Sequence, residues 1–210
     1  MKTRLNGRRM VVALATLLLG LSACAGRATT APPSAEQQAE KRDGVQLAVK
    51  ELLANQAAGR VRAVSGVGFV LAPIAVFLAN GEVSLIPSSP DLESELARLQ
   101  RQWLAGRRQP LPFEAFKSAF ILLTKRRAAV GQAGGETLIR FAKTDEKGRF
   151  TFEQVPEGQW LLVADMNSPV SILLWAVPVR VGPQDPPPLF LGEGNLLLEA
   201  LAPQGAPPTP

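Results

Sequence analysis

The stretch from Thr144 to Val163, reading TDEKGRFTFEQVPEGQWLLV, constrains this chain more than any other, because it spells out a β-hairpin. Asp145-Glu146-Lys147-Gly148 is a turn, opened by an acidic residue and holding a glycine where positive φ is easiest. From Arg149 to Val155 the chain alternates. Phe150, Phe152 and Gln154 fall on one face, Arg149, Thr151 and Glu153 on the other. A period of two with aromatic and β-branched residues predicts a strand with one buried face. Pro156-Glu157-Gly158 is a second turn, and Gln159 to Asp165 a second strand.

Thr144, Asp145, Gly148, Phe150, Phe152, Val155, Pro156, Gly158, Trp160 and Leu162 together resemble the hallmark pattern of carboxypeptidase regulatory-like domains. Trp160 stands where that family usually has Tyr. The resemblance implies a mainly β fold, a transthyretin-like (prealbumin-like) β-sandwich. In zinc carboxypeptidases the module sits beside the catalytic domain and carries neither zinc ligands nor a nucleophile, so the resemblance also implies a non-catalytic role. The fold alone says little about function.

The flanking sequence supplies further strands and a helical insertion. Val67 to Ala79 is an apolar run of thirteen residues. That is too few to cross a bilayer, which takes about 20, and Pro73 divides it into β-rich halves. Two buried strands are expected there rather than a membrane-dipping segment. Asn80-Gly81 is a turn, and Glu82 to Ile86 a strand whose Val83 and Leu85 face the core. Residues 89–130 then read as a helical hairpin. Ser89 is the predicted N-cap, with Pro90 at the first helical position and Asp91 and Glu93 in the first turn. Leu92, Leu96, Leu99 and Trp103 make one apolar face, and Gly106 ends the helix. A second helix runs from Pro112 to Val130 with Phe113, Phe116, Phe120, Leu122 and Leu123 inward. The pair is expected to pack antiparallel and to cover the sandwich or an open sheet edge.

After Gly134-Gly135 the sequence predicts strands over Glu136–Lys143 and Val170–Val181, where Pro178 argues for an edge or a bulge. Leu189–Leu191 and Leu196–Leu198 suggest a last strand or hairpin about Gly192-Glu193-Gly194. The sandwich is thus expected over residues 60–201, with a Pro-rich disordered tail over 202–210. Upstream, Ser34-Ala35-Glu36-Gln37 is a capping box, and Val45, Leu47, Val49, Leu52 and Leu53 follow at roughly helical spacing until Gly59. That places an N-terminal helix over 35–59, most firmly from Val45 onward.

Residues 1–9 are basic, and Met10 to Leu21 is a short apolar run that ends in Leu21-Ser22-Ala23-Cys24. These four residues resemble the bacterial lipobox, which implies a lipoprotein signal peptide over 1–23 and lipidation, by palmitate among others, at Cys24. Several acyl chains hold a membrane firmly where one does not. Residues 24–34 read as a flexible tether. Ala25, rather than Asp, after the cysteine implies the outer membrane of a Gram-negative envelope, facing the periplasm.

Composition removes several functions. The chain has no His and a single Cys, which excludes a Ser-His-Asp triad, a Cys-His pair and a His-based zinc site. Setting aside Lys2, Arg4, Arg8 and Arg9 leaves 19 of the 23 basic residues against 18 acidic ones, so nucleic acid is not an expected partner. Asp145, Glu146 and Asp165 are too few for a calcium site, which takes about six to eight oxygens. No catalytic set, metal or cofactor is expected. Arg107, Arg108, Arg126 and Arg127 are candidate contacts to lipid phosphate or an anionic wall polymer, against the plainer reading of solvated helix ends. Trp160 and Trp175 offer either a sugar-stacking platform or core. The expected function is a lipid-anchored, non-catalytic binding or scaffolding module, held to the membrane through Cys24 and meeting an envelope protein. The alternatives are recognition of a carbohydrate or wall polymer, and an accessory subunit of an envelope enzyme.

Overall fold

The computed structural model describes residues 35–72, 74–106, 109–168 and 170–202. Cys24, Ser34, Arg107, Arg108 and the tail from Pro203 lie outside them, as do the readings attached to those residues.

Helix α1 (Ala35–Ala57) begins a full ten residues before the apolar spacing sets in at Val45. Val45, Val49 and Leu52 are its buried stripe, one residue per turn on one face. Gly59 closes it in the left-handed region at φ 68°. Strand β1 (Val61–Ala72) pairs antiparallel with β2 (Ile74–Phe77) and with β5 (Arg149–Pro156), and parallel with β8 (Leu189–Leu191). These four make the first sheet. Val64, Phe150, Phe152 and Leu191 are buried on its inner face. Gly66 leaves room between strands, since a Cβ there would lie 2.5 Å from the Phe150 ring and from the Leu189 carbonyl. Gln154 turns to φ 57° where the β1–β5 register shifts. It is exposed, and the bulge carries Val155 into the core in its place, so the expected inward Gln154 is corrected by one residue.

The second sheet runs β4 (Arg140–Lys143), β3 (Glu82–Pro87), β6 (Gly158–Asn167), β7 (Ser171–Val181), β9 (Leu196–Leu201). Both its faces are covered. Val83 to Pro87 are all buried, as are Trp160 to Ala164. Such strands lose the polar-apolar alternation of a half-exposed sheet. One face meets the first sheet. The other meets helices α2 (Pro90–Ala105) and α3 (Phe113–Gln132), inserted between β3 and β4.

The fold class is therefore as expected: mainly β, two sheets, an inserted helical hairpin and an N-terminal helix. Ser89 caps α2, and Pro90, Asp91 and Glu93 occupy its first turn. The hairpin covers the second sheet and also seals its β9 edge. The Leu111 amide donates to the Glu199 carbonyl (2.8 Å), and the Leu201 amide donates to the Leu111 carbonyl (2.9 Å). Pro178 lies beyond the reach of β9, whose pairing with β7 stops at Trp175, so its missing N–H leaves no ladder bond unmade.

Several expectations change. Phe113, Phe116 and Phe120 stack in a row, but Phe120 is half exposed at the outer end of it. Glu136 to Leu138 is a 3-10 turn rather than strand, because the chain leaves α3 through Gly134 at φ 78° and buries Leu138 at once. Leu189–Leu191 and Leu196–Leu198 form no hairpin. β8 joins the first sheet and β9 the second, so the chain crosses the sandwich at Gly192. Val67 to Ala79 does contain two strands, but they are not fully buried: Leu71, Val76 and Phe77 are exposed.

Candidate functional site

The acidic turn after β4 is a structural knot. The Asp145 carboxylate accepts from the Lys147 amide (2.8 Å), the Arg149 amide (2.9 Å) and Arg149 Nε (2.8 Å). These bonds, led by the Arg149 amide, hold its pKa below the usual carboxylate value. Thr144 is buried and ties this turn to the one before β3. The Gly81 amide donates to its Oγ1 (2.8 Å), and its hydroxyl donates to the Leu78 carbonyl. Gly148, at φ 70°, packs directly on β1, where a Cβ would fall 2.3 Å from the Gly68 carbonyl. At the opposite end of the hairpin, a Cβ on Gly158 would lie 2.4 Å from Leu52 Cδ2 of α1.

The basic cluster is not assembled as an anion site among the described residues. Arg126 is 6% exposed, so the structure withdraws it from the expected surface role. Its Nε and Nη2 donate to the carbonyls of Pro87 (2.9 Å) and Ser88 (2.8 Å), groups left over where β3 gives way to α2. Burial pulls its pKa down to about 10, against a smaller upward pull from Asp91, and it stays cationic at neutral pH. Arg127 lies over the Phe141 ring at 5.6 Å and donates from Nη2 to Ser84 Oγ (2.6 Å). Asp165, on the same sheet face, has its pKa raised by burial, with Glu82 adding to the rise while an Asn167 hydrogen bond and Arg127 oppose it.

All three tryptophans are buried, with the indole N–H of each engaged. Trp160 donates to the Pro156 carbonyl (2.8 Å), Trp175 to that of Gly192 (2.9 Å) and Trp103 to that of Gln109 (3.1 Å). Neither Trp160 nor Trp175 offers a platform for a sugar ring.

Exposed apolar surface gathers elsewhere, at the end of the sandwich where β1 outruns its neighbours. Pairing with β5 stops at Val67 and with β8 at Gly68, so from Phe69 onward β1 pairs with β2 alone. On the outer face Phe69 and Phe77 are ring neighbours at 6.1 Å, and Leu71 is 64% exposed. Phe190 pairs with Val67 on that face and is 61% exposed. Beneath the ribbon lies a cavity of about 470 Å³. Val70 and Val76 roof it, Met166, Leu173 and Leu196 line its floor, and Trp103 lies against it from α2. Val170, 73% exposed, stands at its mouth in the β6–β7 turn. A cavity of this size with mainly apolar walls is the usual form of a ligand site.

Sequence reasoning did not find this end. A signal was present: nineteen consecutive residues between Arg62 and Glu82 carry no charge, although an exposed ribbon edge is ordinarily protected by charge. Among the described residues, no group of three or more His, Cys, Asp or Glu side chains could hold a metal ion, and no helix is long and apolar enough to cross a membrane.

No family model matches the chain, and no curated protein matches it. Among solved structures it is similar to a candidate carbohydrate-binding protein of Pseudomonas aeruginosa, at 17% identity over 63% of this chain and 88% of that one, with a TM-score of 0.38. It is also similar to the pilus backbone protein of Streptococcus pneumoniae, at 13% identity over 58% of this chain and 35% of that one, with a TM-score of 0.27. The chain therefore spans about a third of the pilus protein's length. Both likenesses are distant, and both proteins are β-rich.

Proposed function

We propose that this protein is a lipid-anchored component of a bacterial cell envelope, attached through Cys24, whose sandwich is a non-catalytic binding module working at its open apolar end. The apolar ribbon over the cavity carries the reading. Leu71, Phe77, Val170 and Phe190 are exposed together at this end, whereas Leu47, Leu104, Phe120, Ile121, Phe141 and Leu201 are exposed singly or in pairs along the helices and the edge strands of the second sheet. Such a concentration of exposed apolar surface marks an interaction site. The lipobox-like Leu21-Ser22-Ala23-Cys24 supports the anchor, and the small, polar, Pro-containing composition of residues 26–34 supports a tether after it. The residues that resemble a carboxypeptidase regulatory-like domain are all occupied with turns and core, which supports a scaffold role for them.

Two measurements test this. Radiolabelled palmitate fed to cells is expected to label the native chain and not the Cys24→Ser variant; equal labelling of both would remove the anchor. A photo-crosslinking amino acid at Val170 or Leu71 is expected to give discrete adducts in the intact envelope. One at Leu47, equally exposed on α1, is expected to give none. Identical patterns at all three positions would remove the open end as the binding surface.

A further inference from the structure

The described chain leaves the sandwich at its open end. β9 pairs with β7 as far as Leu201, opposite Ser171, and the next amide, that of Ala202, donates to the Val170 carbonyl (3.0 Å). Val170 lines the cavity, so residues 203–210 set out from beside its mouth. A proline-rich segment of that length reaches about 25 Å at about 3.1 Å per residue. That is more than the width of a cavity of about 470 Å³.

The segment matches the surface it would meet. The ribbon carries no ionisable residue from Ala63 to Gly81, and neither do residues 200–210, where Pro203, Pro207, Pro208 and Pro210 fall. Val76 and Phe77 are each 42% exposed, and the Phe77 ring adjoins that of Phe69. Proline-rich segments dock on aromatic and apolar surfaces at low entropic cost, because they are extended before they bind. The edge of the ribbon also offers donors. The Leu78 amide donates to the Gly68 carbonyl (2.9 Å), which makes Val70 and Val76 a hydrogen-bonded pair and turns the amides of Ala75 and Phe77 away from β1. β2 ends its sheet, so no further strand takes these amides. The carbonyls of a proline-rich segment have no internal partner and can accept from them.

We infer that residues 203–210 fold back across the mouth of the cavity and pack on Val76 and Phe77, covering the binding surface until a partner displaces them. The inference rests on the reading of the open end as the binding surface and adds its regulation. A partner must reach that surface from solution. This segment is attached at its rim, and a short tether gives an effective concentration in the millimolar range, so weak contacts suffice.

The test titrates Nile red, a neutral apolar dye, into the full chain and into a chain ended after Ala202, which keeps every described strand. The shortened chain is expected to bind the dye about tenfold more tightly, the factor for a cover closed roughly nine-tenths of the time. A synthetic peptide of residues 203–210, in millimolar excess, is expected to compete with the dye on the shortened chain. Pro207→Gly with Pro208→Gly leaves every described residue in place and is expected to give part of the same gain, so a folding defect in the shortened chain does not decide the matter. Phe77→Ser should remove most of the difference between the full and shortened chains. Equal affinity of the two chains for the dye, or a peptide that does not compete, would overturn the cover and leave the apolar surface standing. If the dye saturates neither chain, the cover and the open end as a binding surface fall together.

Discussion

At one end of the sandwich α1 lies against the β5–β6 turn; at the other, the β6–β7 turn meets a cavity. The two turns belong to consecutive hairpins of the same chain and each borders a cavity, yet the side chains packed on them differ. At the first, Leu52 is 2% exposed, sits over Gly158, and is joined there by Asn55, whose side-chain amide donates to the Glu157 carbonyl (2.6 Å). At the second, Val170 is 73% exposed and the polar atoms of the turn bond to one another. At the α1 end Leu52 and Asn55 are both buried against the turn. The open end keeps apolar groups in water, where they add nothing to folding and are available for something else. The contrast lies in the apolar groups rather than in open space: a cleft of about 460 Å³ also runs beside Leu52 and Gly158, but Leu52 itself is buried there, whereas Leu71, Phe77 and Val170 stay exposed at the end where the proposed binding surface lies.

The sharpest way to break the contrast is a matched pair of substitutions. Leu52→Ala removes buried side-chain atoms under a turn that cannot collapse onto the gap, and is expected to lower the unfolding free energy by about 3 kcal/mol. Leu71→Ser, at a residue of similar size on the exposed ribbon, is expected to change it by less than about 0.5 kcal/mol. Urea titration of both variants decides the matter; comparable losses would mean that the ribbon belongs to the core after all.

Thr144→Val comes next in size. The shape is kept, but the Gly81 amide and the Leu78 carbonyl lose their partner in a buried site, with an expected loss of about 2 kcal/mol. The site ties the base of the ribbon to the sandwich, so hydrogen exchange should rise around Leu78–Gly81 while the α1 end stays protected. A uniform rise across the molecule would show that the two ends are not separable.

The smallest expected effect is electrostatic. Burial raises the pKa of Asp165, so the folded protein binds this proton more readily than the unfolded one. Ionised Asp165 therefore detracts from stability at neutral pH, and the penalty disappears as pH falls through its folded pKa. Asp165→Asn is expected to raise Tm at pH 7, by less than about 1 kcal/mol of stability. The advantage should shrink at acid pH, where the native carboxyl is itself protonated. Asp145 has the opposite sign. Its lowered pKa means that its contribution is present above the ordinary carboxylate range and is lost as pH falls through the folded value. A gain from Asp165→Asn that held constant from pH 7 down to pH 3 would show that burial of charge is not its origin.

Much of the fold was legible because it is written in local patterns. The Thr144–Val163 hairpin needs only alternation and two glycine turns. The helical insertion announces itself through Ser89, Pro90 and the Leu92-Leu96-Leu99-Trp103 face. What escaped depends on partners distant in the chain. Gln154 and Val155 exchange faces because the register with β1 shifts at Arg62–Val64, far away in sequence. Leu189–Leu191 and Leu196–Leu198 look like the arms of one hairpin, yet they join different sheets, since each finds a better neighbour in β1 and β7 than in the other. Arg126 reads as a solvated helix residue until the fold brings the Pro87 and Ser88 carbonyls to it.

The candidate site was the least legible part for the same reason. An apolar residue on a strand reads as core, and the signal around Leu71 and Phe77, an uncharged run from Ala63 to Gly81, is equally what a buried strand shows.

The sequence by itself determined the class of this protein: alternation demanded strands, 3.6-residue spacing demanded helices, and the absence of His removed whole branches of chemistry. The tertiary structure alone decided which apolar groups are sheltered and which are left over. That depends on how far each strand runs past its neighbours, and strand length relative to a partner is a property of the assembled sheet.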